Sequence, residues 1–134
     1  MPLSRILIAN RGEIALRIVR ACHDADLVAV AVYSEEDRHA PYVRLADAAY
    51  YLGGAGAANT YLNQDKLLEI ARRAHADAVH PGYGFLAESA QFAKAVEQAG
   101  LVWIGPPAQA IELLGNKTRA RQLAAAVGAP LVPG

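Results

Sequence analysis

The run His80-Pro81-Gly82-Tyr83-Gly84-Phe85-Leu86-Ala87-Glu88-Ser89 concentrates the residues best suited to hold a ligand. A short apolar run, Asp77-Ala78-Val79, precedes it and a helical pattern follows. Two glycines flank a tyrosine, and glycine permits positive φ and close approach of a ligand or another backbone. Pro81 fixes one torsion and removes one donor. The resulting stiff turn holds Tyr83 out at the carboxyl end of a strand, the edge where open α/β sheets bind ligands. The same residues would also make an ordinary βα turn with an aromatic lid over the core. His80 lies beside this pocket, although a lone histidine is more often a structural hydrogen-bonder than a ligand. His23, His39 and His75 fall at helix ends or in loops and make no metal set with it. No Ser/His/Asp set or paired carboxylates follow from the spacing.

Lys117 is the second candidate. It begins a helix just after Gly115-Asn116. A cation at the electropositive end of a helix is locally disfavoured. The cost is small for an exposed lysine, and tolerable also where the ammonium contacts a phosphate. Arg17, Arg20 and Asp24 share one face of the first helix, which reads either as a solvated charged face or as an interface. Glu13 stands four residues before Arg17, the favourable order for an ion pair. The first βα turn has only Gly12, where a dinucleotide fingerprint needs three glycines, so the acids Glu35 to Asp37 mimic a ribose-binding acid without the rest of the site. Gly53-Gly54-Ala55-Gly56-Ala57-Ala58 lacks the Gly-Lys-Ser/Thr end of a phosphate loop and reads as a mobile surface loop.

These residues need a frame. Residues 5–9 and 27–33 are continuous β-branched runs of the kind found in buried parallel strands. Between them a helix runs to about Asp24, with Ile14, Ile18, Val19 and Cys22 on its apolar stripe. Residues 41–46 form a short helix and 48–52 an edge strand. Asn63 caps a helix to about Ala74, with Leu67, Leu68, Ala71 and Ala74 inward. Strand 77–79 enters the Tyr83 turn. The next helix carries Phe92, Val96 and Ala99 and stops at Gly100. Strand 101–104 follows, then a short helix to Gly115, a last helix from Lys117 to Val127, and a further strand beginning at Leu131. This alternation predicts an α/β domain with a mainly parallel, doubly wound sheet, strands one and four central.

The chain has 134 residues, enough for one domain with its own core. Thirteen basic side chains balance thirteen acidic ones, which argues against nucleic acid or an anionic membrane as partner. The longest apolar run, Leu27 to Tyr33, is too short to span a bilayer. Met1-Pro2-Leu3-Ser4-Arg5 leads straight into a strand without the pattern of a signal or transit peptide, which predicts the cytoplasm. Cys22 is the single cysteine and predicts a buried, inert thiol.

Four motifs in register carry a resemblance. Ile8-Ala9-Asn10-Arg11-Gly12-Glu13-Ile14-Ala15-Leu16-Arg17 resembles the start of biotin carboxylase chains, and His80 to Glu88 resembles a second signature of that family. Trp103-Ile104-Gly105-Pro106 and Leu114-Gly115-Asn116-Lys117 match at the family's order and spacing. The resemblance runs from about residue 4 to the end. It implies that residues 1–134 are the Rossmann-like N-terminal domain that precedes an ATP-grasp fold. The family uses ATP, Mg²⁺ and bicarbonate to carboxylate biotin on a carrier protein, by way of carboxyphosphate, and passes the carboxyl group to a carboxyltransferase. It implies that Lys117 binds ATP, that Tyr83, Gly84 and His80 belong to the biotin pocket, and that Arg17, Arg20 and Asp24 belong to the face of a homodimer. The Mg²⁺ carboxylates, the nucleotide lids and the base for bicarbonate have no candidates in these residues, so the fragment alone is expected to be inactive.

Asn116 stands where many relatives have Asp, and either can cap a helix. Ala87 stands where many have Ser, which removes one possible capping hydroxyl. A free-standing Rossmann-like binding module, or the same domain of another ATP-grasp ligase such as a carbamoyl-phosphate synthase, are the competing readings. The His80 to Glu88 motif favours the carboxylase over the other ligase.

Overall fold

Strand β1 (Arg5–Ile8) lies in the middle of a five-stranded, wholly parallel sheet of order β3-β2-β1-β4-β5. The other strands are β2 (Val28–Tyr33), β3 (Ala48–Tyr51), β4 (Ala78–His80) and β5 (Val102–Trp103). Helix α1 (Gly12–Asp24) links β1 to β2, and α2 (Pro41–Leu45) links β2 to β3. Helix α3 (Gln64–Arg73) leads to β4, and α4 (Ala90–Gln98) leads to β5. The computed structural model describes residues 3–113. The last helix, Asn116, Lys117 and the strand expected at Leu131 lie outside them.

Period-2 alternation divides the core between the two sheet faces. Leu7, Val30, Val32 and Val79 pack with Leu67, Ile70, Phe92 and Val96 from α3 and α4. Ile6, Ile8, Ala29, Ala31 and Ala78 pack on the other side with Ala15, Ile18, Val19 and Cys22 of α1. On that face β2 presents two alanines, which leaves room for α1 and for the buried ring of Tyr42. Cys22 is 5% exposed, and burial pushes its thiol pKa up, as an inert core thiol requires. The doubly wound α/β architecture is therefore as expected, each strand lying within a residue or two of the range read from sequence. β1 sits at the centre with β4 beside it.

Asn63 caps α3 by accepting from the Lys66 N–H at 3.1 Å. Several expectations are corrected. Ile14 is half-buried and Ala15 takes the core position, because Ile14 turns toward the loop after β4. Leu68 lies at the edge of the α3 stripe, which is completed by Ile70. Ala99 is exposed, since α4 ends at Gln98, and Ala93 is buried instead. Ala87 is no cap position: it lies inside a 3-10 turn (Phe85–Glu88), and Ser89 caps α4 by accepting from the Phe92 N–H at 3.1 Å. Glu13 and Arg17 form no ion pair; both are exposed, where water competes with so weak a contact. The glycine loop lies on the surface, and it is also anchored. The Lys66 ammonium donates to the Gly53 and Asn59 carbonyls at 2.8 and 2.7 Å, and the Glu35 N–H donates to the Gly54 carbonyl at 3.1 Å.

Candidate functional site

Chain order in the sheet reverses at β1: the chain moves outward through β2 and β3, then returns to the opposite side of β1 as β4. The segments leaving β1 and β4 therefore diverge and open a crevice at the carboxyl edge. Asn10 leaves β1 there and the His80 turn leaves β4. Asn10 is 1% exposed and joins the two. Its Nδ2 donates to the Pro81 carbonyl at 2.8 Å and to the Tyr83 carbonyl at 2.7 Å, while its Oδ1 accepts from the Arg11 N–H at 2.8 Å. The orientation of the amide follows from these partners, since the reverse would set its oxygen against two carbonyls.

The turn itself is conformationally demanding. Gly82 has φ +69°, and a Cβ there would lie 2.7 Å from Asn10 Nδ2 and 2.8 Å from Ile14 Cγ2. Gly84 has φ +65° and ψ −162°, a region open essentially to glycine alone. Phe85 follows at φ +46°, held by packing of its ring against Tyr61 at 5.6 Å between centroids. Between the two glycines Tyr83 stands out 75% exposed. His80 is half-buried and its Nδ1 accepts from the Gly82 N–H at 3.1 Å, which assigns the ring proton to Nε2. Burial lowers its pKa below the ordinary histidine value, so the ring is neutral at pH 7.

His80, Gly82 and Tyr83 face Glu13 and Arg17 of α1 across a cleft of about 340 Å³. The structure thus brings His80, Tyr83 and Arg17 together, with Gly84 in the same turn. Arg20, one turn on from Arg17, borders a shallow groove with Leu16, Arg44 and Leu45. Asp24 is exposed at the last residue of α1. Lys117 lies outside the described residues. Among the described residues no group of three His, Cys, Asp or Glu side chains could hold a metal ion.

Two features escaped the sequence reading. Asn10 is one: its signal was a polar residue placed directly between an apolar strand and a helix. The other is a buried network beside the turn. Arg11 grips Asp37 with two bonds, Nε to Oδ2 and Nη2 to Oδ1, each 2.6 Å. Tyr61 donates its hydroxyl proton to Asp37 and accepts from the Ser34 N–H at 3.0 Å. The Tyr42 hydroxyl lies 2.9 Å from that of Tyr61 and donates to the Val32 carbonyl at 2.9 Å. The Arg11 guanidinium holds the Asp37 carboxyl below the usual range against the opposing effect of burial, and burial pushes both tyrosines up. Asp37, one of the acids Glu35 to Asp37 that mimic a ribose-binding acid, has both oxygens engaged by this network.

A parallel sheet with a chain reversal at β1 and a strained aromatic turn on that reversal define a Rossmann-like, doubly wound α/β domain. Residues 2–111 match the family model described as "Biotin carboxylase, N-terminal domain", and the chain belongs to that family. It is 57% identical over 132 residues to the biotin-dependent acyl-coenzyme A carboxylase alpha3 subunit of Mycobacterium leprae, covering 98% of this chain and 22% of that protein. The biotin carboxylase domain of a single-chain bacterial carboxylase superposes with a TM-score of 0.84 at 50% identity, covering 98% of this chain and 30% of that one. The biotin carboxylase domain of a thermophilic 2-oxoglutarate carboxylase, bound to ADP without magnesium, superposes with a TM-score of 0.85 at 43% identity, covering 99% and 29%. The chain thus spans between about a fifth and a third of these relatives. No helix among the described residues is long and apolar enough to cross a membrane.

Proposed function

We propose that residues 1–134 are the N-terminal domain of an ATP-dependent biotin carboxylase. The complete enzyme carboxylates carrier-bound biotin with bicarbonate and MgATP, then delivers the carboxyl group through a carboxyltransferase. The observation that supports this most directly is the family match across residues 2–111. The geometry of the turn agrees with it. Tyr83 offers a free aromatic face, Gly84 leaves the space beside it open, and neutral His80 carries a donor at Nε2. These three form one wall of the biotin pocket. Lys117 contacts the nucleotide, a reading that rests on the Leu114-Gly115-Asn116-Lys117 motif. The groups that hold Mg²⁺ and activate bicarbonate come from the ATP-grasp domain of the complete enzyme. Arg17, Arg20 and Asp24 contribute to the face of a homodimer, and the protein works in the cytoplasm.

Steady-state kinetics on the complete enzyme test this, with ATP and biotin varied separately. Lys117→Ala raises the KM for ATP by about tenfold or more, since a charge-assisted hydrogen bond contributes ~1.5–3 kcal/mol. Tyr83→Ala raises the KM for biotin and leaves that for ATP alone. Absence of biotin-dependent ATP cleavage by the complete protein would overturn the reading. If Lys117→Ala left ATP saturation unchanged while Tyr83→Ala shifted it, the two roles would be wrongly assigned. Residues 1–134 alone are expected to cleave no ATP.

A further inference from the structure

We propose that Asn10 is a positioning residue for biotin: its side-chain amide clasps the Tyr83 turn in the conformation that presents the ring. The proposal rests on the reading of that turn as a biotin wall. Nδ2 has two protons, and they are spent on the carbonyls either side of Gly82, at Pro81 and Tyr83. Oδ1 meanwhile accepts from Arg11, so Asn10 is tied to its own strand exit as it holds the neighbouring one. The clasp spans 71 to 73 residues of sequence, and Asn10, which makes it, is 1% exposed, so water has little access to its amide.

The chemistry selects asparagine. Aspartate has the same shape and, ionised, no proton to give; it would set a carboxylate against two carbonyl oxygens now 2.7–2.8 Å from the amide. Glutamine adds a methylene where Gly82 already leaves no room for a single Cβ. Asn10 and Gly82 are therefore one device. The absence of a side chain at 82 admits the amide, and the amide holds the positive φ of 82. The strain at Gly84 and Phe85 needs such a restraint, because their conformations persist only where the surroundings impose them.

The test uses Asn10→Asp in the complete enzyme, with Asn10→Ser as a milder variant should the first fail to fold. Expected is a rise of about tenfold in the KM for biotin, with the KM for ATP unchanged within about twofold. Deuterium uptake rises in a peptide covering 81–86, while peptides from β1 and β2 keep their protection. In the Tyr83→Ala background Asn10→Asp adds less than about twofold to the biotin KM, because the positioned group is gone. Unchanged uptake in 81–86 overturns the clasp. Equal rises in both KM values, or a full extra effect in the Tyr83→Ala background, reduce Asn10 to general structure and overturn the positioning role. Faster exchange with neither Asn10→Asp nor Tyr83→Ala changing biotin saturation overturns the biotin reading and leaves the clasp standing.

Discussion

Replacing Gly82 by alanine separates two costs that glycines in turns usually combine. The first is the left-handed backbone, φ +69°, which for a residue with a Cβ costs about 1–2 kcal/mol. The second is collision, because the new methyl would sit 2.7 Å from Asn10 Nδ2 and 2.8 Å from Ile14 Cγ2. Asn10 cannot swing aside without giving up three hydrogen bonds, and Ile14 is β-branched on a helix with little rotamer freedom. Overpacking of this kind costs typically ~1–3 kcal/mol. Gly82→Ala is therefore expected to lose about 2–5 kcal/mol. Gly100 supplies the control: φ is +83° and nothing lies within 4 Å of its would-be Cβ, so Gly100→Ala carries only the backbone cost. For a domain of this size 1 kcal/mol moves Tm by about 4 °C. Thermal unfolding followed by circular dichroism should thus place Gly82→Ala roughly 8–20 °C below wild type and Gly100→Ala roughly 4–8 °C below it. Equal losses from the two substitutions would refute the close approach of Asn10 and Ile14.

Three further outcomes are expected. His80 has its pKa lowered by burial, so as pH falls below ~6.5 the unfolded chain takes up the proton first, and stability is lost between that value and the lower folded pKa. Imidazole nitrogen NMR checks this, and a His80 charged at pH 6.5 would refute it. Asp37, held below the usual carboxylate range by Arg11, adds stability above ~3.9 that is lost as pH falls through its folded pKa. Asp37→Asn should cost about 1–3 kcal/mol at pH 7 in urea unfolding, the gap to wild type closing in acid, and a gap independent of pH would count against the pair. Arg20→Glu in the complete enzyme should weaken dimerisation more than the fold, since Arg20 is exposed, and unchanged sedimentation at low protein concentration would argue otherwise.

The continuous β-branched runs at 5–9 and 27–33, the Asn63 cap, and the glycine pair around Tyr83 were enough to set out a parallel α/β sheet with an exposed tyrosine at its carboxyl edge. Each rests on local physics: strand runs buried on both faces, a side chain satisfying an N–H three residues on, and backbone torsions open chiefly to glycine. The motifs in the same residues also carried the family. Helix faces were legible to about one position: Ile14 and Leu68 pack at the margin of the core, while Ala99, read as inward, is exposed. What the sequence could not determine was which residues meet across the sheet. Asn10 and Tyr83 are 73 positions apart, and Asp37 and Tyr61 are 24 apart, so no periodicity links them. Only the return of the chain to the far side of β1 sets Asn10 against the Gly82 backbone. Only the packing of the elements engages both oxygens of Asp37 and makes that acid part of the frame. Torsional preference belongs to each residue and is written locally; hydrogen-bond partnership and close approach belong to pairs, and tertiary structure decides the pairs.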